Sequence, residues 1–275
     1  MPTNALDLNN LRLAVLIDAE NVPRNCIKSV MEEIAIYGTP TIKRIYGDWT
    51  SPIISGWKHS LLENAITPIQ QYSYTTGKNS SDSAMIIDAM DILYSDKTDG
   101  FVIVSSDSDF TRLAIRLREA GQRVIGIGER KTPNAFIAAC DKFTYIDVIR
   151  AGGEEPALER EILTGEDGEN GQKAQMQHRE KPYYQPVRPR GVKVPGTIIQ
   201  LIADSVADLA GDNGVVFMGE LGNLILKKQP DFDHRNFGYM SLSAMIKSID
   251  RFEIDFRQTT DPNIKHVFVR DKEAN

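Results

Sequence analysis

The sequence predicts an α/β fold with a mainly parallel sheet over residues 1–150, followed by a small winged helix-turn-helix domain over residues 193–275. Three observations carry this prediction. Five apolar, β-type runs punctuate the first 150 residues and alternate with helix-like stretches, which is the pattern of right-handed βαβ units. Two of those runs end in carboxylates. Leu13-Ala14-Val15-Leu16-Ile17 leads into Asp18, and Phe101-Val102-Ile103-Val104 leads into Ser105-Ser106-Asp107-Ser108-Asp109. Beyond residue 193, apolar residues at helical spacing give way to two stretches of period two, the order of a winged helix.

Each element has its own signal. After the first strand, an amphipathic stretch over 23–37 is closed by Gly38. Residues 41–46 form the second strand, a helix covers about 54–64, and 67–72 is the third and weakest strand. A Gly-Lys-Asn-Ser-Ser turn leads into a helix over 82–94. Strands at 101–104 and 123–127 flank a helix over 110–120 that is capped by Gly121. A short helix follows Pro133, and 143–147 ends the domain as an edge strand. From 151 to about 190 the pattern fails in favour of Gly-, Pro- and Glu-rich sequence. That composition has little to bury and predicts a flexible linker, residues 151–192, between two independently folding units. Ile198, Ile199, Leu201, Ile202, Val206 and Leu209 then mark a helix. Further helices are expected over 218–226 and 242–249, and a hairpin joins 252–256 to 266–269. Phe232, Phe237, Tyr239 and Phe252 are assigned to this domain's core.

Composition narrows the function. The chain has 275 residues, 41% hydrophobic and 25% charged, as in a soluble globular protein. No apolar run approaches the roughly 18–20 residues that span a bilayer. The N-terminus lacks the basic and apolar regions of a signal peptide, so a cytoplasmic location and no membrane partner are expected. Cys26 and Cys140 form no CxxC pair and imply neither a zinc site nor a disulfide framework. The net charge is −6. Residues 1–150 carry 16 Lys and Arg against 18 Asp and Glu, and residues 193–275 carry 10 against 12. A polyanionic partner would have to be met through local patches or metal ions.

In an open parallel sheet the carboxyl ends of the strands line one edge, where ligands bind. Asp18 and Asp107 would meet there, and their repulsion calls for a divalent cation with a taste for hard oxygen ligands, Mg²⁺ or Mn²⁺. Asn21 could equally cap the following helix ahead of Pro23, and Glu20 is expected to point away into solvent. Asp107 or Ser108 could head the helix near Phe110, but two carboxylates and three hydroxyls exceed what capping requires. Asp82, in the first turn of its helix, would be favoured there by the macrodipole alone. Asp88 lies six residues on, about 240° around the helix, among Ile86, Ile87 and Met90. It is expected to be a partly buried carboxylate or an edge contact to the same cleft.

These residues converge on a family. The stretches LIDAENVP at 16–23, GKNSSDSAMIIDAM at 77–90, SSDSDF at 105–110 and GIGERKTPNAFIAACDKFTYID at 126–147 resemble the NYN branch of the PIN-like ribonucleases, the LabA-like group. The resemblance implies a three-layer α/β/α domain with Asp18, Asp82, Asp107 and Asp109 around a divalent cation that activates water on a phosphodiester. It also implies supporting roles for Asn21, Ser105 and Asp88. One departure is Ser106, where the family often has glycine. The segment PDFDHRNFGYMSLSAMIKSIDRFEID at 230–255, with HVFVR at 266–270, is similar to the OST-HTH/LOTUS domain, which implies an RNA- or protein-binding module.

The resulting expectation is an endoribonuclease that hydrolyses RNA through an aspartate-bound Mg²⁺ or Mn²⁺ centre and carries a C-terminal RNA-binding module. Single-stranded or structured RNA is the expected partner. Lys78, Arg130, Lys131, Lys227, Lys228, Arg235 and Lys247 are the candidate phosphate contacts. A protein partner for the C-terminal domain and a homo-oligomer are left open. The main rival is a catalytically silent RNA-binding or scaffold protein that keeps the PIN-like fold. A phosphatase or phosphoacceptor domain fits less well. Its Asp-x-Asp would follow the first strand, or its single acceptor would come with a strand-end Lys, and neither is found.

Overall fold

A computed structural model describes residues 11–72, 80–151, 193–211, 214–258 and 265–274. Lys78, the expected linker and the tip of the C-terminal hairpin lie outside these residues. The first domain runs β1 (Arg12–Asp18), α1 (Ile27–Ala35), β2 (Thr39–Gly47), α2 (Lys58–Asn64), β3 (Thr67–Gln70), α3 (Ser80–Tyr94), β4 (Gly100–Val104), α4 (Thr111–Glu119), β5 (Arg123–Gly128), α5 (Asn134–Ala139), β6 (Lys142–Tyr145) and α6 (Ile146–Ala151). Six parallel strands lie in the order β3-β2-β1-β4-β5-β6, with helices on both faces, as the α/β expectation required. Pro68 sits in β3 at one edge, where a strand tolerates the missing donor.

The central strands are apolar throughout because both their faces are covered. In β1, Leu13, Val15 and Ile17 pack on the face shared with α1 and α2. Ala14 and Leu16 pack on the face shared with α3, α4 and α5. The same alternation splits β4, with Phe101 and Ile103 on the second face. Side chains alternate with period two, so Asp18 and Ser105 continue the second face. Strand parity alone therefore aims both toward α3. The chain runs β1, β2, β3 to one side and then crosses back to β4, which makes the gap between β1 and β4 the topological switch point, where such sheets bind ligands.

The last strand departs from expectation. Ile146 and Asp147 open α6 and are not part of the edge strand, because Ile146 and Ile149 turn inward to the α1 face of the core.

The second domain consists of α7 (Gly196–Leu209), β7 (Val216–Phe217), α8 (Met218–Lys228), α9 (Leu242–Lys247), β8 (Phe252–Gln258) and β9 (Lys265–Asp271). Its three strands pair in the order β7-β9-β8. Phe232 and Phe252 are buried, and Phe237 and Tyr239 pack against the same core, as expected. The two-residue β7 was not foreseen. Two residues are too few to show a period.

The two domains touch along β6. The Phe143 amide donates to the Pro230 carbonyl at 2.8 Å, closing part of an exposed strand edge. The Tyr145 hydroxyl donates to Asp231 at 2.8 Å. The Arg235 guanidinium donates to both oxygens of Glu33 in α1 at 2.8 and 2.7 Å, and also to Asp233. Tyr37, at 2.5 Å, donates to the same Glu33 carboxylate. Burial would raise the Glu33 pKa, but hydrogen bonds from Arg235 and Tyr37 hold it below the ordinary range.

Candidate active site

The site is built from the ends of β1 and β4 and the first turn of α3. Asp18 is 2% exposed. Its Oδ1 accepts from the backbone amides of Glu20 and Asn21 at 3.0 and 3.3 Å. Its Oδ2 accepts from Asn21 Nδ2 at 2.7 Å and Ser105 Oγ at 2.9 Å. Four donors meet the roughly four lone pairs of a carboxylate, so the orientation of Asp18 is fixed. Ser105 Oγ also accepts from the Asp107 amide at 3.1 Å. This one hydroxyl ties the end of β1 to the loop after β4. A Cβ on Gly128 would stand 2.6 Å from the Ser105 carbonyl oxygen, so β5 can lie this close to the loop only with glycine there. Ser106, the departure from the family pattern, is buried and accepts from the Glu129 amide at 2.8 Å. It braces the loop after β5.

Asp107 caps the short helical turn that begins at Ser108, accepting from the Asp109 amide at 2.9 Å. The capping reading is thus correct for Asp107, and it engages one of its two oxygens. Asp109 is exposed. Asp82 is buried in the first turn of α3. Its pKa is pushed up to about 7, first by burial and then by the charges of Asp18, Asp107, Asp109 and Glu20. The four aspartates named from the sequence are therefore electrostatic neighbours, although they come from three separate elements.

Glu20 is exposed, as expected, yet its charge still acts on Asp82. The chain leaves the strand at Asp18 and turns on that carboxylate, which keeps Glu20 near the cluster. Partial desolvation, then Asp18 and Asp48, raise its own pKa.

Asp88 serves a different purpose. It accepts from Arg44 and from the Tyr46 hydroxyl on β2, and Tyr46 is the register partner of Asp18. The contact holds α3 onto the sheet one strand away from the carboxylate cluster. An Asp88→Ala protein, with Arg44 and the buried Tyr46 hydroxyl left unpartnered, should lose about 2 kcal/mol of stability, read as a lower urea midpoint at unchanged slope.

Four carboxylates without thiol or imidazole suit a hard divalent cation, and the negative field on Asp82 shows repulsion that a cation would offset. Among the described residues, no three His, Cys, Asp or Glu side chains close to a ready ligand cage. Asp18, Asp82, Asp107 and Asp109 are the residues that would hold the ion.

Most of the candidate phosphate contacts are engaged elsewhere. Arg130 pairs with Asp147 at 2.9 Å, donates to Asn236 at 3.0 Å and lies 4.4 Å over the Tyr145 ring. Lys131 pairs with Glu129 at 2.8 Å and Lys228 with Asp208 at 2.6 Å. Arg235 is committed to Glu33 and Asp233. Lys227 and Lys247 are exposed at helix ends. Lys227 lines a cleft of about 360 Å³ between the domains with Arg118, Arg123 and Asp141.

Comparison with known proteins identifies two domain families. No curated protein matches the chain. Among solved structures, a protein of unknown function from Vibrio parahaemolyticus is similar over 50% of this chain and 94% of its own, at 21% identity and a TM-score of 0.43. An uncharacterized protein from Nitrosomonas europaea is similar over 37% of this chain and 95% of its own, at 26% identity and a TM-score of 0.28. Residues 12–147 match the family model of the NYN domain and residues 193–264 that of the OST-HTH/LOTUS domain. The first belongs to the PIN-like nuclease superfamily and the second is a type associated with RNA binding. The chain carries an NYN domain followed by an OST-HTH/LOTUS domain.

Proposed function

We propose that the protein is a metal-dependent endoribonuclease whose C-terminal domain binds the RNA. The observation that carries this reading is the convergence of Asp18, Asp82, Asp107 and Asp109 at the topological switch point, where burial and then the charges of the other carboxylates raise the Asp82 pKa to about 7. A bound Mg²⁺ or Mn²⁺ would polarise the phosphoryl oxygen and supply an activated water. The chain's own residues do the positioning. Asn21 and Ser105 lock Asp18 in one orientation. The Ser105–Asp107 hydrogen bond sets the loop that carries the exposed Asp109. Ser106 and Gly128 hold that loop against β5.

A silent scaffold is the second reading. It draws on the saturated hydrogen bonding of Asp18 and on the open arrangement of the ligand set. Cleavage of end-labelled single-stranded and structured RNAs in Mg²⁺, Mn²⁺ or EDTA separates the two. The nuclease reading expects internal cleavage with either metal, lost in EDTA and restored by excess Mn²⁺. Binding without cleavage under every condition would leave the scaffold.

A further inference from the structure

The outward face of the small C-terminal sheet carries aromatic side chains where a solvent-facing wing ordinarily carries polar ones. In β9, Val269 points into the core, which sends His266, Phe268 and Arg270 outward by the period of a strand. Register places Phe217 of β7 beside Phe268, and Arg257 of β8 opposite His266. The rings form one patch. The Phe217 centroid lies 5.3 Å from His266 and 5.8 Å from Phe268, and the Arg257 guanidinium sits 4.5 Å over Phe268. Phe217 is 36% exposed, and a Cβ on Gly219 would stand 2.7 Å from its ring. The bare backbone of α8 is thus the seat on which that ring is held.

We propose that Phe217, His266 and Phe268, with Arg257, form a stacking platform for the bases of single-stranded RNA. The inference rests on the reading of this domain as an RNA-binding module and names the face that does the binding. Two features favour RNA bases over an apolar peptide. The patch is made of rings and the Arg257–Asp255 ion pair, with no aliphatic side chain among them, and every base offers a π-face to such a surface. It is also carried on a sheet face, with no groove between helices to seat an amphipathic helix. Charge supplies little. Arg257 already pairs with Asp255 at 2.8 Å, and Arg270 faces Glu253 across the ladder. Affinity from this face should therefore come from stacking and depend weakly on salt, unlike binding through Lys227 or Lys247.

The test is fluorescence anisotropy of a labelled mixed-sequence single-stranded RNA of twelve nucleotides. It uses the full chain in EDTA, which withholds metal from the first domain, over a series of salt concentrations. Phe217→Leu and Phe268→Leu keep apolar bulk and remove the π-face, and each should weaken binding at least about five-fold with the salt slope unchanged. Phe268→Trp should restore wild-type affinity. Unchanged affinity in both leucine variants would overturn the platform, leaving the face to a protein partner while the RNA-binding reading stands. A five-fold loss that Phe268→Trp fails to rescue would make these rings structural and would also overturn it. Absence of RNA binding by the wild-type chain would overturn the RNA-binding reading itself.

Discussion

Asp107→Asn should lower RNA cleavage in Mn²⁺ by at least about a hundred-fold, as loss of a metal ligand does, while thermal unfolding barely changes. Asparagine can still accept the Asp109 amide, so the cap at Ser108 survives. Asp18→Asn should abolish activity as fully but cost about 1 kcal/mol besides. Its new amide would face Asn21 Nδ2, a donor that now has a carboxylate oxygen at 2.7 Å. Asp82→Asn should do the opposite to stability in EDTA. The folded-state pKa of Asp82 is raised from 3.8 to about 7, so its charge opposes folding in full above pH 7. That penalty shrinks as the pH falls and vanishes below about 4. The variant should gain about 1–2 kcal/mol at pH 8, the full shift being discounted for a cluster that opens to solvent, and nothing at pH 4. Differential scanning calorimetry at the two pH values reads this directly. Wild-type cleavage rates in both Asp18→Asn and Asp107→Asn would refute the site.

Removing the Glu33 carboxylate should uncouple the two domains. Glu33 is 5% exposed and takes two guanidinium bonds from Arg235 together with the Tyr37 hydroxyl. Its loss leaves Arg235 with Asp233 alone and takes the short acceptor from the Tyr37 hydroxyl, at a cost of about 2 kcal/mol. In a Glu33→Ala chain the single calorimetric transition expected of the wild type should split in two, with the C-terminal domain melting apart from the sheet. The same loss should follow acidification. Because the pKa of Glu33 is depressed, its contribution is complete above its ordinary value of 4.5 and disappears as the pH falls through the folded value. A wild type that already melts as two independent units would contradict the docked arrangement.

How far these features could be read from the sequence depended on their range along the chain. The continuous apolar runs of β1 and β4 announce strands buried on both faces, and Asp18 and Asp107 are conspicuous because each ends such a run. Asp82 was weaker evidence, since a helix N-terminus favours a carboxylate anyway. Only the fold puts it beside the others. The partners of Asp88 lie 44 and 42 residues away, and no local pattern marks them. Arg235 has a local partner in Asp233, but its partner across the seam, Glu33, is 202 residues away, so as a sequence feature it looked like one more surface cation. His266-x-Phe268-x-Arg270 did show period two. Alternation alone does not say which set of side chains faces water, and both sets are apolar enough to be core.

Mn²⁺ binding bears on the central claim most directly. Electron paramagnetic resonance titration of the metal-free chain should show one or two Mn²⁺ bound, with affinity at least about ten-fold weaker in Asp82→Asn and Asp107→Asn. Equal Mn²⁺ binding by the wild type and both variants, or none by the wild type, would contradict the assignment of these carboxylates as the metal centre.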